Sequence, residues 1–412
     1  MTTDEIIYLV LLGLLVFDFL FEEVLDYLNY KSSQKAIPTE LEDIYSEEQH
    51  EKAKQYHAEN YRFGLVSSTF SFFLSFIVIA FGILGMLEQH LSFFENPVYN
   101  ALVFFGVIFI VSDVINIPFS YYSTFVIEQK YGFNKTDLKT FIGDKLKGYI
   151  LSILIGGGIL YLLLTLILSI GTGFWLYFWV VISVFILFIN MFYTSLIVPL
   201  FNKLTPLEDG ELKTAIEDYS RKINFPLDNI FVVDGSKRSS KANAYFSGIG
   251  GKKKIVLFDT LINNHTNEEL VGVLAHEVGH FKKKHIVYNF IFSILQVGLT
   301  LFILSRFIFS EDLSLALGGD GLSIALNLIA FSMLFTPISK ITGLLMMLFS
   351  RKNEYEADEY AATTYGAAPL ISALKKLSSD NLSNLTPHKW YVFLNYSHPP
   401  LYKRLKALKR FA

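Results

Sequence analysis

Seven long apolar runs constrain the fold of this 412-residue chain more than any other feature. Each is close to the ~20 residues that an α-helix needs to cross the hydrocarbon core of a bilayer. The composition agrees, because 52% of the residues are hydrophobic and only 18% are charged, too apolar a balance for an ordinary soluble enzyme. The runs therefore predict a multi-pass integral membrane protein. They cover residues 6–28, 63–87, 100–126, 149–170, 173–198, 286–309 and 322–349.

Carboxylates interrupt two of these runs. Glu22, Glu23 and Asp26 lie near the end of the first run, where we expect them to reach water. Asp18 in the first run and Asp113 in the third leave two alternatives open. Since charges rarely face lipid, each lies either at a helix end near water or in the wet interior of a helix bundle.

The loops between the runs alternate in charge. Because cytoplasmic loops carry an excess of basic residues, the alternation predicts an outside N-terminus and a cytoplasmic C-terminus. The first residues lack the basic segment of a signal peptide, so the first run is interpreted as a retained span. Lysine and arginine occur in loops 29–62, 127–148 and 199–285, and neither occurs in 88–99, 171–172 or 310–321.

The pattern divides the chain into four parts. Residues 1–198 are expected to form transmembrane helices 1–5 with cytoplasmic loops, and residues 286–349 to form helices 6 and 7. The segments 199–285 and 350–412 are water-soluble in character and are expected to join into one small α+β domain. The predicted fold class is thus a mostly α membrane protein. A further polar segment, 38–61, is expected to form an amphipathic helix without an assigned role.

Local patterns predict the elements of the soluble domain. Residues 211–223 are predicted to form a helix. Residues 229–233, 242–247 and 254–258 are predicted to be strands by their β-branched and aromatic content. A glycine-rich turn at 248–251 is expected to join the last two.

The absence of cysteine narrows the chemistry. It excludes disulfides, thiolate catalysis and cysteine-ligated zinc, so a bound metal must be held by His, Asp or Glu. The formal net charge is only −3, and the clustered lysines lie beside apolar runs. Nothing in this pattern indicates a nucleic-acid partner.

A His-Glu-x-x-His pattern begins at His276, on a helix that Thr266 or Asn267 can cap. His276 and His280 are four residues apart, so both imidazoles project from one helical face and can bind one metal. Glu277 is one step round the helix, where it can reach a water on the metal without being a ligand. This arrangement is typical of zinc peptidases.

A catalytic zinc site needs a third protein ligand and one open position. Glu354 and Asp358 share a helical face, so one can bind the metal and the other can orient a ligand histidine. Glu356 and Glu359 point elsewhere and are expected to be solvated. His285 lies off the face of the first motif and is expected to be a solvated histidine at the membrane interface.

With these motifs the sequence resembles the type I CAAX prenyl proteases, integral-membrane zinc endopeptidases of the gluzincin class. The resemblance covers most of the chain, and it assigns Glu354 to the metal and Asp358 to a histidine. It implies one Zn²⁺ per chain and a hollow barrel of seven transmembrane helices, which encloses a water-filled chamber and is capped by the peptidase domain. The matching motifs are 124–134, 242–246, 254–260, 276–280, 350–358 and 397–405.

The same resemblance suggests further functional residues. His398 would be a catalytic donor to the oxyanion, or alternatively a cap or packing histidine before two prolines. Asn243 and Tyr245 would bind substrate at a strand edge, or would serve only ordinary strand and turn chemistry. The expected partners are the lipid bilayer and a peptide or protein substrate, lipidated or membrane-embedded, with no nucleic acid.

The expected reaction is hydrolysis of a peptide bond by a water that Glu277 activates on the metal. A membrane-protein quality-control metalloprotease without a prenylated substrate would share this chemistry and is the alternative. Since no endoplasmic-reticulum retrieval signal ends the sequence, we expect a bacterial inner membrane with the active site on the cytoplasmic side. For a eukaryotic source the expectation is the endoplasmic reticulum membrane.

Two other classes fit less well. A site-two intramembrane protease places its zinc motif within a span, whereas three lysines at 282–284 follow the motif here. A transporter or scaffold with structural zinc would need four protein ligands, and the sequence offers three good ones beside Glu277.

Overall fold

The computed structural model describes residues 1–225, 229–247 and 254–412. Helices make up most of the described chain. Its first half also contains two π-helical stretches, Ser123–Glu128 and Ser152–Gly157, which continue the α-helices before them. The α-helices of this half are α1 (Thr3–Ser33), α2 (Glu47–Ala80), α3 (Ile83–His90), α4 (Pro97–Tyr122), α5 (Gln129–Tyr131), α6 (Leu138–Leu151), α7 (Gly158–Ile170), α8 (Phe174–Leu196) and α9 (Val198–Phe201).

The second half combines helices with a small sheet. The strands are β1 (Leu204–Pro206), β2 (Ile230–Val233), β3 (Ala244–Ser247) and β4 (Lys254–Phe258). The helices are α10 (Glu211–Lys222), α11 (Asp259–Asn264), α12 (Asn267–Lys282), α13 (His285–Phe307), α14 (Glu311–Ala316), α15 (Ile324–Leu334), α16 (Thr336–Thr364), α17 (Ala367–Asp380), α18 (Lys389–Asn395) and α19 (Leu401–Leu408).

The predicted apolar runs are largely helical. Within the described residues, four helical stretches are long and apolar enough to cross a membrane, or five if α15 and α16, which meet at 52°, form one span. One of them, Leu138–Phe201, contains both the fourth and the fifth predicted runs, with a turn at Gly171 whose φ is +68°. Helix α1 covers the first run but is not among these stretches. The protein is therefore multi-pass.

Two predicted boundaries are wrong. The expected amphipathic helix 38–61 does not begin at residue 38, because Ser46 caps α2 and this helix continues without a break into the second apolar run. That run ends early, since the chain turns at Gly82 with φ +62° before α3 begins. Gly82 lies against Gly318, and a Cβ atom at Gly318 would lie 2.8 Å from the Cα of Gly82, so there is no space for a side chain at residue 318.

Three of the carboxylates in the apolar runs pair with lysines of other helices. Lys340 of α16 binds both Asp18, at 2.7 Å, and Glu22 of α1. Asp113 of α4 lies 2.6 Å from Lys145 of α6. Glu22, which we expected to reach water at a helix end, is thus held by a lysine of another helix. The paired groups are only partly exposed, so these ion pairs link membrane helices to one another.

The sheet confirms the three predicted strands and adds β1. Its order is β1-β2-β4-β3, with β2 and β4 parallel and the other two pairs antiparallel. Strand β3 is therefore an edge strand within the described residues. The predicted helix 211–223 is confirmed as α10. The predicted turn 248–251 lies outside the described residues.

Helix α12 is the centre of the soluble core. Thr266 caps it, and Glu269 completes a capping box. Ten of its sixteen residues are buried. Leu270 and Leu274 pack in a cluster with the sheet, α10 and α17. Each such buried leucine stabilises the fold by about 1.5–3 kcal/mol relative to an exposed one. The helix that carries the histidines is thus held rigidly on several sides.

Candidate metal centre

Two histidines and a glutamate from two helices converge on one point. His276 and His280 project from the same face of α12, and their Nε2 atoms are 3.2 Å apart. Glu354 of α16 faces them, with Oε1 3.2 Å from Nε2 of His280 and Oε2 3.5 Å from Nε2 of His276. One ligand atom from each residue lies within 4.8 Å of the other two, so the three residues could hold a metal ion.

This set of donor atoms fits a zinc ion. Two imidazole nitrogens and one carboxylate leave a fourth position open, as in catalytic zinc sites. Glu354 is only 3% exposed, and its Oε2 accepts no hydrogen bond from the described part of the chain, although Arg404 Nη1 lies 3.4 Å away as an ion-pair partner. A buried carboxylate oxygen without a hydrogen bond costs free energy. A cation bound at this point would satisfy it.

Small residues let α12 and α16 approach closely enough to form the site. A Cβ atom at Gly279 would lie 3.0 Å from the Cα of Ala357 and 3.1 Å from its carbonyl oxygen. Ala357 and Ala361 are completely buried on the facing side of α16. The alanines expected to permit close packing therefore do so, and this contact brings Glu354 within reach of the histidines.

Asp358 and Arg404 hold the outward nitrogen of His276. Asp358 Oδ1 lies 2.9 Å from His276 Nδ1, which leaves Nε2 directed at Glu354. Arg404 of α19 donates to both Asp358 oxygens, at 2.8 Å from Nε and 2.6 Å from Nη2. Although burial opposes it, the Asp358 and Glu354 carboxylates raise the pKa of His276 to about 9. The same negative charge would favour a bound metal cation.

Glu277 follows His276 on α12 and is not one of the three convergent residues. Burial raises the pKa of Glu277, and the neighbouring His276 and His280 oppose this shift. A carboxylate whose pKa is raised is a stronger proton acceptor, and general-base catalysis near neutral pH benefits from this. The structure therefore places a basic carboxylate beside the residues that could hold a metal.

His398 lies in the loop between α18 and α19, next to the carboxylate of Glu354. Its Nε2 is 3.3 Å from Glu354 Oε1, and its side chain is 62% exposed. Its Nδ1 is 2.8 Å from Ser397 Oγ. His398 is thus neither a buried packing group nor a member of the three-residue group at the metal position. It borders the open side of the site.

The two predicted substrate residues lie on or beside the edge strand. Tyr245 is in β3, and its hydroxyl oxygen lies 3.5 Å from Thr194 Oγ1 of α8. Asn243 is exposed just before β3, and its side-chain oxygen accepts a hydrogen bond from Ala244 N. Strand β3 packs against α12. The structure brings this edge next to the zinc helix, but it records no contact of either side chain with the histidines among the described residues.

The sequence-based expectations for His285 and Glu356 are wrong. His285 is only 2% exposed rather than solvated, and its Nδ1 lies 3.0 Å from Nδ1 of His280. Glu356 is not a free solvated group, because its Oε2 lies 3.1 Å from Nε2 of His285. The reason is a break in the helix. Lys284 adopts a left-handed conformation, with φ +61°, and α13, which begins directly after it, places the His285 ring next to the His280 ring.

Arg404 is the functional residue that sequence reasoning missed. A signal for it was present in the spacing of the last helix. Leu401, Leu405 and Leu408 form an apolar stripe at helical intervals, and Arg404 falls on the same stripe. A charged residue at a core position indicates a buried ionic partner, here Asp358.

Family models match nearly the whole chain. The model described as CAAX prenyl protease N-terminal, five membrane helices, matches residues 26–203, and that of peptidase family M48 matches residues 206–412. CAAX prenyl protease 1 of Saccharomyces cerevisiae is 35% identical, and the alignment covers 97% of this chain and 94% of that protein. The Arabidopsis thaliana homologue is 36% identical, with 96% of each covered.

A solved structure agrees with these relatives. The crystal structure of S. mikatae Ste24p superimposes with a TM-score of 0.92 at 36% identity, covering 98% of this chain and 99% of that one. These named relatives are eukaryotic, and they give no support to the expectation of a bacterial inner membrane. The site geometry and the extent of the matches lead to one conclusion: the chain belongs to peptidase family M48 and is an integral-membrane zinc endopeptidase.

Proposed function

We propose that this protein cleaves prenylated peptide or protein substrates at the membrane, with zinc held by His276, His280 and Glu354. The observation that carries the catalytic part is the convergence of the two histidine side chains and the buried Glu354 carboxylate on one point. The substrate class rests on the relatives, which are named CAAX prenyl proteases and match nearly the whole chain.

Glu277 is the general base in this proposal. When bound, zinc supplies Lewis-acid chemistry that acidifies water and polarises the scissile carbonyl. Glu277 accepts the proton of the attacking water and returns it to the leaving amine. The raised pKa that burial gives Glu277 suits both transfers. Asp358 keeps the Nε2 atom of His276 facing the metal, since it lies against the other ring nitrogen.

His398 is the donor to the developing oxyanion. Its imidazole is exposed and lies 3.3 Å from Glu354, on the side of the site that substrate can reach. A donor aimed at the charge that forms in the transition state typically contributes 10²–10³-fold to the rate. His398→Gln should lower kcat while zinc content stays at one per chain. Loss of zinc in this variant would instead make His398 a metal ligand.

The edge of β3 binds the substrate backbone. An extended peptide can add to an unpaired strand edge, which gives affinity with little demand on side-chain sequence. Asn243 directly precedes β3 and Tyr245 lies within it, and both would orient the peptide beside the zinc helix. Tyr245→Phe and Asn243→Ala should therefore raise KM more than they lower kcat.

The membrane part forms a hollow barrel of seven helices around a wet chamber, and the soluble domain caps it. Residues 1–198 supply the first five of these helices and residues 286–349 supply the last two. The partly exposed ion pairs of Asp18 and Asp113 with lysines support a wet interior, because such groups rarely face lipid. The basic loops support a cytoplasmic active site. A cysteine introduced at Glu95 should react with an impermeant reagent only from the outer side, since the natural chain has none. Labelling only from the cytoplasm would reverse this orientation.

Matched peptides test the substrate class directly. Purified protein with measured zinc content should cleave a farnesylated peptide with a much higher kcat/KM than the same peptide with an unmodified cysteine, and the Glu277→Gln protein is the control for contaminating proteases. Equal cleavage of both peptides would refute the need for the lipid and would favour a quality-control protease. Cleavage of neither, by protein that carries zinc, would refute the proposed function.

A further inference from the structure

We propose that His285 and Glu356 form a second positioning device for the metal, acting through His280. The device is called here the His285 bridge and consists of His280, His285 and Glu356. It rests on the proposed function in one respect, that His280 binds zinc through Nε2. His285 and Glu356 touch neither the metal nor the substrate, so they are positioning residues.

The geometry of the bridge is continuous. His280 Nε2 faces Glu354 at 3.2 Å, and its other ring nitrogen, Nδ1, lies 3.0 Å from His285 Nδ1. His285 Nε2 lies 3.1 Å from Glu356 Oε2. His285 is buried, whereas Glu356 is partly exposed, with Lys352 3.6 Å away. The bridge therefore runs from the metal position outward to the rim of the domain.

Only one arrangement of protons satisfies these contacts with neutral imidazoles. A histidine that binds a metal through Nε2 carries its proton on Nδ1. His280 Nδ1–H then donates to His285 Nδ1, which must present a lone pair. The proton of His285 is therefore on Nε2, where it donates to the carboxylate of Glu356. Each ring is thereby fixed in one tautomer and orientation.

The two zinc histidines are thus supported in parallel ways. The outward nitrogen of His276 contacts Asp358 directly, and that of His280 reaches Glu356 through His285. Both carboxylates come from α16, which also supplies Glu354. Residue 356 lies about 200° round the helix from residue 354, at roughly 100° per residue, so it cannot face the metal itself. His285 spans the resulting gap.

The break between α12 and α13 is what makes the bridge possible. In a continuous helix, residues 280 and 285 would be about 140° apart and their rings would diverge. The left-handed conformation of Lys284, with φ +61°, ends α12 and redirects the chain. Non-glycine residues rarely adopt this conformation.

Zinc affinity, measured by competition with a chelator and without substrate, tests the bridge. His285→Phe keeps a flat ring but removes both nitrogens, and Glu356→Gln removes only the charge. Loss of an outer partner of a ligand histidine typically weakens metal binding ~10–100-fold. We expect a loss in this range for His285→Phe and a smaller loss for Glu356→Gln. Glu359→Gln, an exposed neighbour on α16, is the matched control and should bind zinc like the wild type.

The double variant distinguishes a bridge from two independent effects. Because Glu356 acts through His285, His285→Phe/Glu356→Gln should bind zinc as weakly as His285→Phe alone, whereas independent sites would add. Additive losses, or affinities within twofold of the wild type, would refute the bridge. The absorption spectrum of the cobalt-substituted protein should shift in Glu356→Gln, which a purely structural role would not produce.

Two controls keep the result interpretable. If His285→Phe does not fold, Glu356→Gln carries the test, since its side chain is partly exposed and isosteric. The thermal midpoint of each metal-free variant should match that of the metal-free wild type. A lower midpoint in the metal-free variants would show general destabilisation and refute the proposal. A wild-type protein that binds zinc tightly but cleaves no peptide would sink the proposed function while leaving the bridge intact.

Discussion

Helices α12 and α2 show how differently the two parts of this protein are held together. Ten of the sixteen residues of α12 are buried inside the protein, but only Ala53 and Ile79 are buried among the thirty-four residues of α2. A helix surrounded by water buries its apolar side chains inside the protein, and α12 shows this pattern. Helix α2 can expose its apolar side chains to the bilayer, because lipid tails are as apolar as these side chains.

This difference explains why the metal site lies in the domain around α12 and not among the membrane helices. In the soluble domain, close packing around α12 holds the histidines and carboxylates within hydrogen-bonding distance of one another. In the membrane part, the charged groups form small ionic contacts such as that of Asp113 with Lys145, which is only partly covered. A site that must hold a metal in one geometry requires the first kind of environment. The predictions below test whether the contrast holds.

The largest effect is expected for Glu277, the proposed general base. Glu277→Gln should lower kcat/KM ~10²–10⁴-fold, the usual cost of losing a general base. Zinc content and the thermal midpoint should stay at wild-type values, because Glu277 is not one of the three convergent residues. Peptide cleavage and metal analysis on the same sample check this. Turnover within tenfold of the wild type would rule out the general-base role.

The carboxylates of α16 should rank by their distance from the metal position. Glu354→Ala should strip zinc at ordinary concentrations, because it removes a ligand. Asp358→Ala should weaken zinc binding or activity ~10–100-fold, because His276 loses its partner. Glu359→Ala should stay within about 0.5 kcal/mol of the wild-type stability, since it is exposed. Full zinc occupancy in Glu354→Ala would show that the wrong helix face had been assigned.

A pair of glycine substitutions compares the two regions directly. Gly279→Ala puts a methyl group 3.0 Å from the backbone of Ala357, so it should destabilise the protein by about 1–3 kcal/mol and weaken zinc binding. Gly106→Ala in α4 has no atom within 4 Å of the added carbon, so it should be neutral or slightly stabilising. Unfolding of both variants in the same detergent gives the comparison. Equal losses would mean that the membrane part is packed as tightly as the core.

A small effect is also expected for an ion pair in the membrane part. Asp113→Asn removes one partner of an ion pair whose side chains are each 24% exposed. If water reaches the pair, the cost should be within about 1 kcal/mol. Removing one partner of a dry, buried pair would cost about 3–5 kcal/mol. Unfolding measurements of Asp113→Asn therefore distinguish a wet chamber from a dry helix bundle.

Much of the site was predictable because it depends on local periodicity. The four-residue spacing of His276 and His280 fixes their common face in any α-helix, and the same holds for Glu354 and Asp358. Thr266 and Glu269 likewise determine where α12 begins, through contacts three residues apart. The strands β2, β3 and β4 were predictable from their β-branched and aromatic residues, whereas the three-residue β1 was too short to give a signal.

The sequence by itself determined which segments are apolar enough for a membrane, which residues can bind a metal, and which face of each helix carries them. Only the tertiary structure decided what lies behind those residues. Arg404 reaches Asp358 from 46 positions away, and Glu356 reaches His285 across 71. The side chains that face each other across a helix contact depend on how α12, α13, α16 and α19 pack. Helical periodicity has no information about that packing, because it describes one helix at a time.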